Sequence, residues 1–186
     1  GTVFHTSDGG VTWTSQSCPS DGALKSVHFS DINNGWSVGS SDEFGLVGGV
    51  IIHTTDGGTN WSVQTPPTDA ALNSVYFQDA AHGWAVGAGG TIIHTIDGGD
   101  IWESQITPTS ADLYSVVFPS TDNGWAMGAA GTILHTTDGG TTWNRQDSPT
   151  TVDLHDMSFP DANHGWAVGN QGVVLYFETA PDLTDG

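Results

Sequence analysis

The side chains of this 186-residue chain that could do chemistry recur in register. Histidine stands at His5, His53, His94 and His135, and three residues after each comes an aspartate: Asp8, Asp56, Asp97 and Asp138. Four imidazoles beside four carboxylates invite a metal reading. Each local unit offers only one carboxylate, however, whereas calcium takes six to eight oxygens with several charged ligands. We expect no metal and no cofactor; calcium at acidic loops is the only cation the composition suits. A glycosidase needs two carboxylates across a sugar bond. With 18 Asp and 3 Glu, counting does not exclude one. Asp42, Glu43, Asp100 and Glu103 lie outside the repeating positions and are the acids to weigh, although solvated loop charge is the plainer reading. No Cys–His or Ser–His–Asp group stands together in local sequence. The Gly-Gly pairs are not phosphate loops, since no Lys follows them and no helix begins there. We expect no enzyme.

These residues sit in a repeat. HTSDGGVTW (5–13), HTTDGGTNW (53–61), HTIDGGDIW (94–102) and HTTDGGTTW (135–143) place Trp13, Trp61, Trp102 and Trp143 at intervals of 48, 41 and 41. A second series, NNGWSVG, AHGWAVG, DNGWAMG and NHGWAVG, places Trp36, Trp84, Trp125 and Trp166 at the same intervals. All eight tryptophans therefore belong to two columns of one unit. A period near 41 is the length of a four-stranded propeller blade. Each unit divides into four strand candidates, A to D. Strand A is 24–29, 72–77, 113–118 or 154–159, and strand B is the GWxVG or GWxMG run. Strand C is 1–5, 49–53, 90–94, 131–135 or 172–176, and strand D begins at the Trp that closes each HTxDGG phrase. All are rich in β-branched and aromatic residues and bounded by turn formers. The expected fold is all-β: a propeller of four-stranded antiparallel blades, about 4 to 4.5 in number. It forms a single domain with a half blade at 1–17, full blades at 24–65, 72–106 and 113–147, and a partial blade at 154–177. Half blades leave strand edges unpaired. Three outcomes stay open: completion within the chain, completion between chains in a ring or filament, or further blades beyond this sequence. The chain opens at Gly1 in mid-pattern, as a processed product or a piece of something longer would.

The spacing S/T-x-D-x-G-x-x-W occurs four times: Thr6-Asp8-Gly10-Trp13, Thr54-Asp56-Gly58-Trp61, Thr95-Asp97-Gly99-Trp102 and Thr136-Asp138-Gly140-Trp143. It is identified as the Asp-box, or bacterial neuraminidase repeat. With GWAVG and GTIIHTTDGGTTW the chain resembles the photosystem II stability and assembly factor family and its secreted bacterial relatives. The resemblance implies a β-propeller, not a function. Physically, the box suits a C–D turn: the carboxylate accepts backbone N–H groups, and the Trp buries its ring beneath the turn. These sixteen residues are read as structural. Many Asp-box proteins are sialidases, which resemble one another in an arginine cluster that grips the sugar carboxylate. Arg145 is the only Arg and Lys25 the only Lys, so that reading fails.

Charge and two departures from the repeat carry the remaining information. The balance is 21 acidic against 2 basic residues, a net charge of −19. It argues against nucleic acid or an anionic membrane, and no apolar run is long enough to span a bilayer as a helix. It suits an extracellular or cell-surface setting and counts against docking on an acidic partner. Cys18, alone, forms no internal disulfide. The first interval carries seven extra residues in SSDEFGLVGG (40–49), between strands B and C. There Asp42, Glu43, Phe44 and Leu46 are candidate binding residues, because added loops on a rigid scaffold often carry specificity. Ser/Thr/Pro-rich D–A loops and the sequon Asn60-Trp61-Ser62 are the places for a glycan. The expected function is a non-enzymatic extracellular structural or interaction module with a protein partner, including copies of itself, joined into a filament or surface layer. The alternatives are a ligand- or protein-binding propeller related to photosystem assembly factors, and an Asp-box glycoside hydrolase fragment.

Overall fold

A computed structural model describes residues 2–41 and 48–178. The strands are β1 (Val3–His5), β2 (Thr14–Gln16), β3 (Ala23–Phe29), β4 (Gly35–Ser41), β5 (Gly48–Thr54), β6 (Ser62–Gln64), β7 (Leu72–Phe77), β8 (Gly83–Gly87) and β9 (Ile92–Thr95). They continue as β10 (Glu103–Ser104), β11 (Leu113–Val117), β12 (Gly124–Gly128), β13 (Ile133–Thr136), β14 (Asn144–Arg145), β15 (Leu154–Ser158), β16 (His164–Gly169) and β17 (Val174–Glu178). Every pairing is antiparallel between sequence neighbours. The sheets are β1–β2, β3–β6, β7–β10, β11–β14 and β15–β17. This is an arc of propeller blades in A-B-C-D order, with β3, β7, β11 and β15 neighbouring one another from sheet to sheet.

The GWxVG pattern is dictated by packing on both sides of strand B. A Cβ at Gly35, Gly83, Gly124 or Gly165 would lie 2.3–2.4 Å from the ring of Phe29, Phe77, Phe118 or Phe159 in the paired A strand. A Cβ at Gly39, Gly87 or Gly128 would lie 1.9–2.1 Å from the carbonyl oxygen of Ala23, Ala71 or Asp112, beside the register shift that follows Leu24, Leu72 or Leu113. Both glycines are therefore needed for lack of a side chain. The Trp between them turns to the next sheet.

There it meets a repeated three-ring stack. Trp36 lies between His53, across the B–C ladder (ring centroids 4.5 Å apart), and Phe77 of the following sheet (3.5 Å, planes 7° apart). Trp84 lies between His94 (4.7 Å) and Phe118 (3.7 Å). Trp125 lies between His135 (3.9 Å) and Phe159 (5.8 Å). The box tryptophans meet the same phenylalanines edge-on: Trp102 on Phe77 and Trp143 on Phe118, at 5.7 and 5.8 Å with planes 88° and 85° apart. Each internal junction is one buried cluster built this way. Aromatic pairs of this geometry add about 0.5–1.5 kcal/mol each beyond the area they bury.

Polar ties cross the same junctions. The D-strand Gln64 Oε1 accepts from Trp102 Nε1 (3.2 Å), while its Nε2 donates to the Gly98 carbonyl (2.9 Å), which also receives Trp36 Nε1 (2.9 Å). Gln105 Oε1 accepts from Trp143 Nε1 (2.9 Å). At the opposite face, the Gly89 and Ala130 amides of the B–C turns donate to Asp112 and Asp153 of the following sheet (2.8 and 2.9 Å).

The ends differ from the middle. Among the described residues completion within the chain is not seen: β1–β2 stands as its own sheet, and the C position beside β16 is filled by β17. The B strands β8 and β12 are buried along their whole length. By contrast β3 and β16 alternate, leaving Phe29 42% and Trp166 43% exposed.

The Gln–Trp ties carry a testable load. Gln105→Leu leaves Trp143 Nε1, on a side chain 5% exposed, without an acceptor, at a cost of about 1–3 kcal/mol. Urea denaturation of that variant should show a lower midpoint with an unchanged slope.

Candidate functional site

The recurring acids are engaged by their own turns. In each box the Thr hydroxyl donates to Asp Oδ1 at 2.8–2.9 Å and accepts the amide of the second Gly at 2.9 Å. Asp Oδ1 also accepts the amide four residues on, at Thr12, Asn60, Ile101 or Thr142 (2.8–3.0 Å). Oδ2 takes the side chain of Thr12, Asn60 or Thr142 (2.6–2.7 Å). The Gly pair makes this turn possible: Gly98 and Gly99 sit at φ 74° and 92°, where a Cβ is strained. Asn60 Nδ2, the atom a glycan would modify, is the donor to Asp56.

These bonds favour the ionised carboxylate. The Thr12 hydroxyl and amide hold Asp8 down to about 2. Bonds from Asn60 lower Asp56, the Ile101 amide lowers Asp97, and Thr142 lowers Asp138. An A–B turn clamps each of the last three boxes from beside it: Gly57, Gly98 and Gly139 amides donate to the carbonyls of Asn33, Ala81 and Asp122 (2.9 Å). In the A–B turns Asp31, Asp79 and Asp161 accept amides two and three residues on. Asp79 and Asp161 also pair with His82 and His164 at 2.9 and 2.8 Å. Asp122 does not share that role. Ser120 takes it, accepting from Asn123, because the fourth unit carries its acid two positions later.

The box histidines pack against the B-strand tryptophans rather than against the boxes. Burial pushes His53, His94 and His135 below the ordinary histidine range. His5 has no B strand beside it and is exposed. Among the described residues no three His, Cys, Asp or Glu are placed to hold a metal ion. Asp100 and Glu103 are exposed, on a box turn and at the start of β10. Asp42, Glu43, Phe44 and Leu46 lie outside the described residues. No described helix is long and apolar enough to cross a membrane.

Among the described residues two open sheet faces present apolar side chains. One is a groove of 520 Å³ between β1–β2 and the outer face of β3–β6, lined by His5, Trp13, Val27, Phe29, Ile52 and Trp61. Beside it, Gln16 Oε1 is buried with no partner. The other is the last sheet, where Trp166 and Tyr176 (5.1 Å) stand exposed with Val168 and Val174. The glutamine column, Gln16, Gln64, Gln105 and Gln146, was legible three residues after each box Trp with the same 48, 41 and 41 spacing.

The four boxes, their clamping turns and the radial sheets define an Asp-box β-propeller. The family profile described as "Photosynthesis system II assembly factor YCF48" matches residues 60–148, and the chain resembles that family. No curated protein sequence matches the chain. Among solved structures, YCF48 from Cyanidioschyzon merolae superposes with a TM-score of 0.76 at 21% identity, over 96% of this chain and 61% of that one. This chain thus spans under two thirds of that relative's length. A structure of YCF48 bound to D1 peptide gives 0.50 at 17% identity, over 96% of this chain and 86% of that one. The GH74 enzyme of Niastella koreensis gives 0.68 at 14% identity, over 84% of this chain and 28% of that one. These likenesses, all below 25% identity, show the propeller fold.

The titratable groups predict two steps of acid destabilisation. The three stacked histidines have depressed folded values. Their contribution is full above the unfolded value of about 6.5 and is lost as pH falls below it. The box carboxylates are depressed too, so theirs is lost only as pH falls below about 3.9. Urea midpoints measured from pH 8 to pH 3 should fall in both windows. Replacing His53, His94 and His135 by Phe should flatten the upper one alone.

Proposed function

We propose that this chain is a non-catalytic, protein-binding propeller that engages an extended segment of a protein partner outside the cytoplasm. The observation that carries the reading is the apolar groove between β1–β2 and β3–β6, beside an edge of β1 that no described strand pairs. Such edges take peptides as added strands. The box carboxylates and the three stacked histidines are committed to turns and stacks, which supports a scaffold rather than a reaction centre. The likeness to YCF48, one structure of which holds a D1 peptide, supports a peptide partner, and the acidic excess supports the extracellular placement.

Self-association is a second reading, favoured by the exposed Phe29 at one end and Trp166 at the other. It meets an obstacle. β1 already holds the C position beside the first open face, and β17 holds the C position of the last sheet. Two copies meeting end to end bring two C strands to one place.

Calorimetric titration of the chain with the D1 peptide and with unrelated extended peptides should show saturable binding of at least one. Incubation with soluble polysaccharides should release no reducing sugar. Hydrolysis that Asp100→Asn or Glu103→Gln abolishes would overturn the reading in favour of a glycoside hydrolase.

A further inference from the structure

The junction between β7–β10 and β11–β14 departs from the pattern of the junction before it. There, between β3–β6 and β7–β10, Trp36 Nε1 donates to the Gly98 carbonyl (2.9 Å). Trp84 holds the same place one unit on and is 2% exposed, yet its Nε1 has no partner among the described residues. That atom lies against the glycine pair of the following box: a Cβ added at Gly140 would stand 2.6 Å from it. Trp84 and Gly139 both line a cleft of about 400 Å³, together with A–B turn residues of the two sheets. A buried donor without an acceptor is costly in a folded chain and calls for a group that answers it. Clefts of this volume hold small molecules.

The A–B turn facing Trp84 departs with it. Counted from the A-strand phenylalanine, Thr121 and Asp122 hold the places that Ala80 and Ala81 hold one unit earlier, and both line the cleft. Ser120 has taken the capping role, so the Asp122 carboxylate is left out of the turn, and among the described residues no donor reaches it. Across the cleft His82 answers the charge of Asp79 (2.9 Å), and Gln78 Nε2 donates to Thr121 Oγ1 (3.4 Å). The fold thus leaves open one donor, the buried Trp84 indole, and one acceptor, the exposed Asp122. A cation would answer Asp122 but brings no lone pair to the indole. An anion would answer the indole but meets two carboxylates. A hydroxyl group donates and accepts at once, so a polyhydroxylated molecule answers both.

We propose that this cleft binds a neutral, hydroxyl-rich ligand with the bulk of one sugar ring, which accepts the Trp84 indole N–H through one oxygen and donates to Asp122 through another. The inference goes beyond the protein-binding reading, because the cleft lies between two internal sheets and shares no lining residue with the groove beside β1.

The test uses the full chain, isotope-labelled for nuclear magnetic resonance, in which each indole N–H gives its own signal. Trp84→Phe, or contacts with the His94 and Phe118 rings, identifies that of Trp84. Glucose, galactose, mannose and N-acetylglucosamine are titrated in, with ethylammonium and acetate as charged controls. At least one sugar should move the Trp84 signal saturably and leave that of Trp36 in place. Affinity should fall at least tenfold when Thr121→Ala and Asp122→Ala are combined, which reproduces the Ala80-Ala81 of the preceding unit. It should fall less with Asp122→Asn, which keeps an acceptor oxygen. Circular dichroism and melting confirm that each variant is folded. An equal fall with Asp122→Asn, or a Trp84 signal that a charged control moves and no sugar does, makes a charged ligand the occupant and overturns the proposal. A signal that no titrant moves, and that shows contact with water, marks an ordered water alone and overturns it too. Sugar binding that the double alanine variant does not weaken lies elsewhere and does the same. None of these outcomes bears on peptide binding, which the calorimetric titrations decide.

Discussion

The structure depends on an indole held between two rings. Trp36, Trp84 and Trp125 each belong to one sheet by backbone pairing and to the next by ring contact. A blade by itself has a thin sheet with D strands of only two or three residues and little core. Its apolar faces are buried only when neighbours stack on both sides, as in repeat architectures generally. The glycines of GWxVG, the edge-on box Trp and the glutamine that holds it all serve that one contact: they make room for it or brace it.

Charge is handled locally. A chain with a net charge of −19 places its recurring carboxylates on turns that supply two or more donors each. The Asp at each box replaces water with amides and hydroxyls of the same nine residues. Box turns and A–B turns share one face because both connect strands at the same end of the blade, and their backbone bonds join them there. That face is acidic by construction, whereas the groove beside β1 is apolar. Surface charge and that groove are therefore separated in space.

Most of the fold was legible because both tryptophan columns repeat, and periodicity survives without knowledge of contacts. The box turns were legible too, since Thr, Asp and Gly act within a few residues of one another. What escaped was whatever acts between units. The glutamine column repeats as faithfully as the tryptophans, yet only the neighbouring sheet shows that Gln64 and Gln105 serve Trp102 and Trp143. The histidines read as neighbours of the box because they precede it in sequence; the ladder sets them opposite Trp instead. Asp122 stands before Gly-Trp as Asp31, Asp79 and Asp161 do, but it is offset by two residues and the capping role falls to Ser120. The manner in which the ends are completed depends on which strand occupies each C position, and no local pattern encodes that choice.

Contacts in this molecule run from each sheet to its immediate neighbours. Such an arc obeys nearest-neighbour statistics, like a one-dimensional lattice. A sheet stacked on both sides opens last, so the amides of β7–β10 should exchange with solvent more slowly than those of the two-stranded sheet β1–β2.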